Sequence, residues 1–286
     1  MAERLNGKEV AAALNEETIR RISALKEKGT DVCLAIVRVG ERADDLSYEK
    51  GAVKRCEAVG ASVRKVVLPE DVDVSEFYAE LDRLNQDPSV HGILMFRPLP
   101  KGLDNERARN AIVPQKDIDG CSDGSLAGVF TGTRNGFAPC TAEAAIAVLD
   151  HYGIELSGKR AVVLGRSLVV GRPLAMMLVQ RNATVTICHT RTVDIPSIAR
   201  EADIIFTCMG QPEKLDASYV REGQIVVDIS ICWNDKKGKL CGDCAFEEVE
   251  PIVEKITPVP GGVGAVTTAV LMRHLAEAAE RAFIKE

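Results

Sequence analysis

Short, β-branched apolar runs alternate with amphipathic helical stretches along the whole chain. No other feature narrows the possible folds as much. VCLAIVRVG ends at Gly40, SVRKVVL spans Ser62–Leu68, and VHGILMF spans Val90–Phe96. Between them, Asp44–Val59 (closed by Gly60) and Ser75–Asn85 carry helical periodicity. A first helix is predicted from about Lys8 to Lys28, where Val10, Ala13, Leu14, Ile22 and Leu25 recur at near-helical spacing before Gly29. Strands that read as continuous apolar runs and alternate with helices belong to parallel sheets covered on both faces. RPLPKGLD follows the third strand and cannot continue a central one, because proline removes a ladder donor. From Pro114 to Cys140 the chain is rich in Gly, Asp and Thr and reads as functional loop and linker.

The second half repeats the alternation. Thr141–Tyr152 reads as a helix ended by Gly153, and AVVLG (Ala161–Gly165) as a buried strand. RSLVVGRPLAMMLVQR then turns sharply into a helix. TVTIC (Thr184–Cys188), Asp203–Gly210 and Gln224–Ser230 read as strands, with a short helix in IPSIAREA. Ile256–Gly264 reads as a strand running into a glycine-rich turn, and a last helix covers about Val266–Ile284. The fold class is therefore α/β: an N-terminal parallel-sheet domain and a C-terminal Rossmann domain, with the last helix returning to the first domain. The expected boundaries are 1–139 plus about 265–286 for the first domain and 140–264 for the second, consistent with 286 residues at roughly 150 per domain.

Composition removes several function classes. The formal charge is −6, too acidic overall for a general polyanion binder, so no nucleic-acid partner is expected. No apolar run reaches the ~18 residues of a membrane helix, and MAERLNGKEV has no apolar signal core. No membrane partner and a cytoplasmic location are expected. The 9 cysteines are spread along the chain and read as free thiols. Cys241 and Cys244 form a CxxC with Cys232 nearby, but no fourth ligand for a structural zinc follows. The 4 histidines, His91, His151, His189 and His274, lack metal-ligand spacing, so no metal is expected.

One turn carries cofactor chemistry. A strand, a glycine-rich turn and a helix place an anion against free N–H groups and the positive end of the helix dipole. Here the turn is Gly165-Arg166-Ser167-Leu168-Val169-Val170-Gly171. Against the usual GxGxxG, Ser167 stands for the second glycine and the last glycine comes one residue late. Gly165 can make the tight turn, the Ser167 hydroxyl can donate to a phosphate, and Gly171 permits close strand–helix packing. An ordinary βα turn fits the same residues. After the next strand, where an NAD site usually has an acid, the chain reads Cys188-His189-Thr190-Arg191-Thr192. Arg166 and Arg191 are suited to a 2′-phosphate, which favours NADP and leaves NAD open.

Several segments together resemble the methylenetetrahydrofolate dehydrogenase/cyclohydrolase family. They are YEKGAVKRCEAVG, GILMFRPLP, PQKDIDG, PCTAE, GRSLVVGRP, CHTRT and TPVPGGVG, in family order from about residue 30 onward. The resemblance implies that the first domain binds folate and is catalytic. The reaction it implies is hydride transfer from 5,10-methylenetetrahydrofolate to a nicotinamide, leaving 5,10-methenyltetrahydrofolate. It further implies a tetrahydrofolate substrate, a homodimer, and substrate-binding and catalytic roles for Tyr48 and Asp119. Tyr48 would line the pterin pocket, and Asp119 would accept hydrogen bonds from pterin N–H groups. Pro260, Gly261 and Gly262 would bring backbone close to the substrate. Val263 and Gly264 would do the same for the cofactor, alongside Gly165, Arg166, Ser167, Gly171, His189, Thr190 and Arg191. Taken singly, Tyr48 also fits a half-exposed helix aromatic and Asp119 a turn aspartate before Gly120.

The chain departs from the family where its second reaction, hydrolysis of the methenyl ring, is carried. Ala52 stands where the family has lysine, and Phe96 where it has the supporting glutamine. Arg97 takes the place of the next leucine. Lys50 and Lys54 lie ~200° around a helix from Ala52. The expectation is a dehydrogenase with weak or absent cyclohydrolase activity. The complete bifunctional enzyme and a non-catalytic dinucleotide sensor are the alternatives. Ser230, Ala265, Ala142 and Glu143 are smaller departures on the nicotinamide side.

Overall fold

The computed structural model describes residues 1–133 and 135–284. In chain order the elements are β1 (Glu3–Arg4), α1 (Gly7–Glu27), β2 (Cys33–Val39), α2 (Ala43–Val59), β3 (Ser62–Leu68), α3 (Val74–Gln86), β4 (Gly92–Met95), α4 (Asn105–Ala111), α5 (Asp123–Thr131) and α6 (Cys140–His151). They continue with β5 (Arg160–Leu164), α7 (Gly171–Gln180), β6 (Thr184–Cys188), α8 (Ile195–Arg200), β7 (Ile204–Thr207), β8 (Ile225–Asp228), β9 (Cys232–Asn234), β10 (Lys239–Cys241), α9 (Phe246–Val249), β11 (Lys255–Ile256) and α10 (Thr267–Phe283). Among the described residues no helix is long and apolar enough to cross a membrane.

The chain divides into two compact units, Ala13–Cys140 with the chain from Thr268, and Met1–Ala12 with Thr141–Thr267. In the first unit three parallel strands lie in the order β3-β2-β4. Every residue of β2 is buried, as its unbroken CLAIVRV requires. Helix α2 stops where expected: Gly60 takes φ 84° and Ala61 donates to the Cys56 carbonyl, a closure that glycine makes at low steric cost. Asp73 caps α3 by accepting from Ser75 N at 2.8 Å, and Phe77, Leu81 and Leu84 enter the core below it. Helix α10 returns to this unit, as expected: Arg21 binds Glu280 and Arg281 donates to the Gly136 carbonyl.

Three helices were not anticipated: α4, α5 and the single-turn α9. α4 is capped by Asp104, which accepts from Glu106 N and Arg107 N. α5 lies within the stretch read as loop, capped by Ser122 and closed by Gly132. DGSLAGVFT has poor helix propensity, and contacts made after folding account for its glycines. A Cβ on Gly128 would lie 2.1 Å from the Asn135 carbonyl oxygen, and one on Gly124 2.5 Å from Pro114 Cγ. Close packing has overridden local preference.

The second unit is a six-stranded parallel sheet in the order β1-β11-β8-β7-β5-β6. β6 and β7 flank β5 on opposite sides, so the strand order reverses at β5. In such sheets ligands bind beyond the carboxyl ends of the strands at that reversal. The expected boundary at residue 1 needs correction, because residues 1–12 belong here. Glu3 and Arg4 pair with Lys255 and Ile256, and Leu5 N and Gly7 N donate to the Ile256 and Gly261 carbonyls. A two-residue edge strand has too little pattern to be visible in sequence. The same holds for the β9–β10 hairpin, turned through Gly238 at φ 58°. The strand expected over Ile256–Gly264 is shorter, covering Lys255–Ile256 only.

Candidate active site

In the first unit the strand order reverses at β2, with β3 on one side and β4 on the other. Beyond the carboxyl end of β4 lies a cavity of about 360 Å³, lined in part by Tyr48, Met95, Phe96, Arg97 and Asp119. The Tyr48 ring stands edge-on to Phe96, with centroids 5.4 Å apart and planes at 75°. Tyr48 is 48% exposed, so its face is available to a flat ligand. Desolvation first, and then the nearby Asp119 carboxylate, push its phenol above the ordinary value.

Asp119 is held in place by the residues around it. Asp117 accepts from Cys121 N at 3.2 Å, from Ser122 N at 2.7 Å and from Ser125 Oγ at 2.7 Å. Lys116 donates to the Leu84 and Asp87 carbonyls. The buried His274 binds the Ile118 carbonyl at 2.8 Å through Nδ1. Gly120, at φ 69°, passes so close to Ala138 that a Cβ would lie 2.4 Å from its carbonyl. The other four residues of KDIDG are thus anchored, and Asp119 lines the cavity. Burial, then Asp117, push its carboxyl up, while Arg97 and His274 pull against them. Cys140 is buried and donates its thiol to the Ile118 carbonyl, which suits a packing residue.

The lysine position is closed. Ala52 is 5% exposed and lies on the buried face of α2 with Asp45, Glu49, Cys56 and Val59. Lys50 and Lys54 are exposed. Lys65 is committed to Glu49 at 3.0 Å, as is Arg38 at 2.9 Å. Burial pushes the Glu49 carboxyl up, but these two cations outweigh it and leave it below the ordinary value. Among the described residues no lysine lines the cavity.

In the second unit the glycine-rich turn follows β5 at the reversal point. Gly165 has φ 134°, and a Cβ there would lie 2.6 Å from the Cys208 carbonyl oxygen. A Cβ on Gly171 would lie 2.2 Å from the Gly165 carbonyl oxygen. The backbone therefore forms a cradle that side chains would fill, directly before α7. Ser167 Oγ accepts from Val170 N at 3.1 Å and keeps its proton for another acceptor. Because β5 and β6 are neighbours, Gly165 and His189 leave adjacent strand ends, tied by Gly165 N to the Cys188 carbonyl at 2.9 Å. His189 Nδ1 accepts from Arg191 N at 3.1 Å, and His189 N donates to Thr192 Oγ1 at 3.0 Å. Thr190 sits exposed in that turn. Arg166 and Arg191 are exposed, and neither guanidinium has a partner among the described residues. The cradle and the free cations fit a dinucleotide phosphate.

The turn Pro260–Gly264 is more varied than expected. Gly262 is sterically required, since a Cβ would lie 2.5 Å from the Pro258 carbonyl oxygen. Gly261 is required by its φ of 107°, not by space. Gly264 is required by neither, because a Cβ there meets nothing within 4 Å. Val263 is 1% exposed and packs inward, which leaves only its backbone for a ligand. Sequence reasoning missed Gly7, whose Cβ would lie 2.0 Å from the Gly262 carbonyl oxygen. It also missed Asp117, whose only signal was a second aspartate two positions before Asp119.

Family models match both halves of the chain. Residues 5–119 match the description "Tetrahydrofolate dehydrogenase/cyclohydrolase, catalytic domain", and residues 139–283 match its NAD(P)-binding domain. The chain belongs to the tetrahydrofolate dehydrogenase/cyclohydrolase family. It is 50% identical over 281 residues to the bifunctional protein FolD of Carboxydothermus hydrogenoformans, covering 98% of each chain. The crystal structure of bifunctional FolD from Campylobacter jejuni is similar with a TM-score of 0.93 and 38% identity, covering 98% of this chain and 99% of that one. The Trypanosoma brucei dehydrogenase-cyclohydrolase, complexed with NADP and an inhibitor, is similar with a TM-score of 0.88 and 32% identity, covering 99% and 98%.

One further feature of this family member is a buried carboxyl at the end of β8. Asp228 is 2% exposed and accepts from Asp243 N at 3.2 Å and Cys244 N at 2.9 Å. Burial, against those donors, pushes it up to about 7. An acid raised on folding contributes stability that is complete below its unfolded value near 4 and is lost as pH rises through about 7. The loss amounts to about 4 kcal/mol at most. Thermal melts from pH 5 to 8 should show the wild type losing stability relative to Asp228→Asn. Parallel curves would count against this.

Proposed function

We propose that the protein catalyses NADP-dependent oxidation of 5,10-methylenetetrahydrofolate to 5,10-methenyltetrahydrofolate, with little or no hydrolysis of the methenyl product. The observation that carries this reading is the cavity beside Tyr48, which keeps Asp119 but has the buried Ala52 and Phe96 where a proton-transferring pair would stand. NADP, when bound, supplies the hydride acceptor at nicotinamide C4. The chain's own residues bind and orient. Tyr48 presents its ring to the pterin, and Asp119, when ionised, accepts from the pterin amino and ring N–H groups. Gly165, Arg166, Ser167 and Gly171 hold the phosphates. His189, Thr190 and Arg191 shape the 2′ end, where Arg191 and Arg166 pair with the extra phosphate. Pro260, Gly261 and Gly262 serve the substrate side, and the backbone of Val263 and Gly264 the cofactor side.

Hydride departure needs no base, so the oxidation survives without a lysine. Water attack on the methenyl cation needs proton transfers, and neither alanine nor phenylalanine performs them. The reading includes a homodimer in the cytoplasm with no nucleic-acid or membrane partner. A second reading, the bifunctional enzyme that also makes 10-formyltetrahydrofolate, is favoured by the names of the C. hydrogenoformans and C. jejuni relatives.

A paired assay on one preparation separates them. Reduced-nicotinamide absorbance should rise with methylenetetrahydrofolate and NADP, while methenyltetrahydrofolate should decay no faster than in buffer. Decay proportional to enzyme would establish the bifunctional reading. No nicotinamide signal with either cofactor would favour a non-catalytic sensor. Arg191→Ala should raise the KM for NADP roughly tenfold and leave that for NAD unchanged. Equal weakening of both would remove the assigned 2′-phosphate contact.

A further inference from the structure

The cavity beside Tyr48 holds a charged side chain that the roles above do not use. Arg97 leaves the carboxyl end of β4, is half-buried, and lines the same cavity as Tyr48, Phe96 and Asp119. The neighbouring cations of this unit are committed elsewhere. Arg38 and Lys65 bind Glu49, Arg109 binds Glu106 and Asp123, and Lys116 binds backbone carbonyls. The Arg97 guanidinium has no hydrogen bond or ion pair among the described residues. A half-buried charge without a partner calls for an anion within reach.

Asp119 lines the same cavity, while Glu106, which also feels Arg97, is already bound by Arg109. The groups facing Asp119 are Asp117 on its own loop, Arg97 from the end of β4, Tyr48 from α2, His274 from α10, Cys140 at the start of α6, and Cys121 just beyond. Arg42, Asp44 and Asp45 border the same cavity. Asp117 is fixed by three donors, so it opposes a second charge beside it. His274 already uses Nδ1 on the Ile118 carbonyl. Of the cations facing Asp119, Arg97 is the one whose charge is permanent.

We propose that Arg97 is a positioning residue: its guanidinium shares the cavity with Asp119 and favours the carboxylate form, so that its oxygens accept hydrogen bonds from the bound ring. The identity of that ring rests on the proposed function; the pairing of Arg97 with Asp119 does not. An arginine in this place restores a positive charge to a pocket without a lysine. It does not restore proton transfer, because guanidinium keeps its protons at working pH.

The test reads Asp119 directly. The full chain is labelled with carboxyl-13C aspartate and titrated by NMR, with Asp119→Asn to assign the signal. In Arg97→Leu the Asp119 midpoint should rise by about one pH unit or more, and in Arg97→Lys it should stay with the wild type. Arg97→Gln replaces the leucine variant if that one does not fold. The acid limb of kcat/KM for methylenetetrahydrofolate, at saturating NADP, should move the same way, about tenfold in rate for each pH unit on the limb. An unchanged Asp119 midpoint on removal of the charge overturns the proposal. A wild type that titrates as expected but never oxidises methylenetetrahydrofolate overturns the proposed function and leaves the Arg97 pairing standing.

Discussion

Ala52→Lys combined with Phe96→Gln should create cyclohydrolase turnover, raising enzyme-dependent decay of methenyltetrahydrofolate about a hundredfold or more. Position 52 follows Tyr48 by four residues on α2, so its Cβ lies over the turn that carries the ring. A lysine there would start from a site that is 5% exposed. Desolvation lowers the pKa of such an amine toward neutrality, where it exchanges protons readily. Phe96 is 7% exposed and packs edge-on against Tyr48, adding an apolar ring beside it. Glutamine in its place would offer an acceptor and two donors to hold the amine. Each single substitution should yield far less than the pair, because the lysine alone meets an apolar wall and the glutamine alone has no proton to move. Decay in the double variant no faster than in the wild type would show that positions 52 and 96 do not govern hydrolysis.

Gly171→Ala should both destabilise the protein and weaken NADP binding. The new Cβ would lie 2.2 Å from the Gly165 carbonyl oxygen and 2.6 Å from its carbon. Both are backbone atoms, so no rotamer change relieves the contact. Gly165 is itself hemmed in, since a Cβ there would lie 2.6 Å from the Cys208 carbonyl oxygen. Helix α7 must therefore move off β5, at a cost of about 3 kcal/mol. The same movement withdraws the helix N-terminus from the phosphate, and NADP affinity should fall roughly tenfold or more. Thermal melting and fluorescence titration read the two effects separately. Wild-type values in both would mean that the turn has room which its backbone distances deny.

How much of this was legible in advance depends on whether a residue's partners are near it in sequence. Helix α2 and strand β2 are local: a periodic face with a closing glycine and an unbroken apolar run identify themselves. Gly165 and Gly171 are nearly as local, because a strand, a tight turn and a helix lie within a few residues. Helix α5 was hidden because its glycines answer to Pro114 and Asn135 instead of to helix propensity. Gly264 was over-read, since a glycine-rich turn does not need every glycine for the same reason.

The order of strands and helices, the phosphate turn and the loss of the lysine were determined by the sequence alone, because each depends on residues adjacent along the chain. Tertiary structure decided the rest. It joined residues 1–12 to the dinucleotide unit through pairing with Lys255 and Ile256, made Asp117 the anchor of its loop, and set Arg97 in the cavity of Asp119. Register, desolvation and charge proximity arise between segments far apart in sequence, and they come into being only when the chain folds.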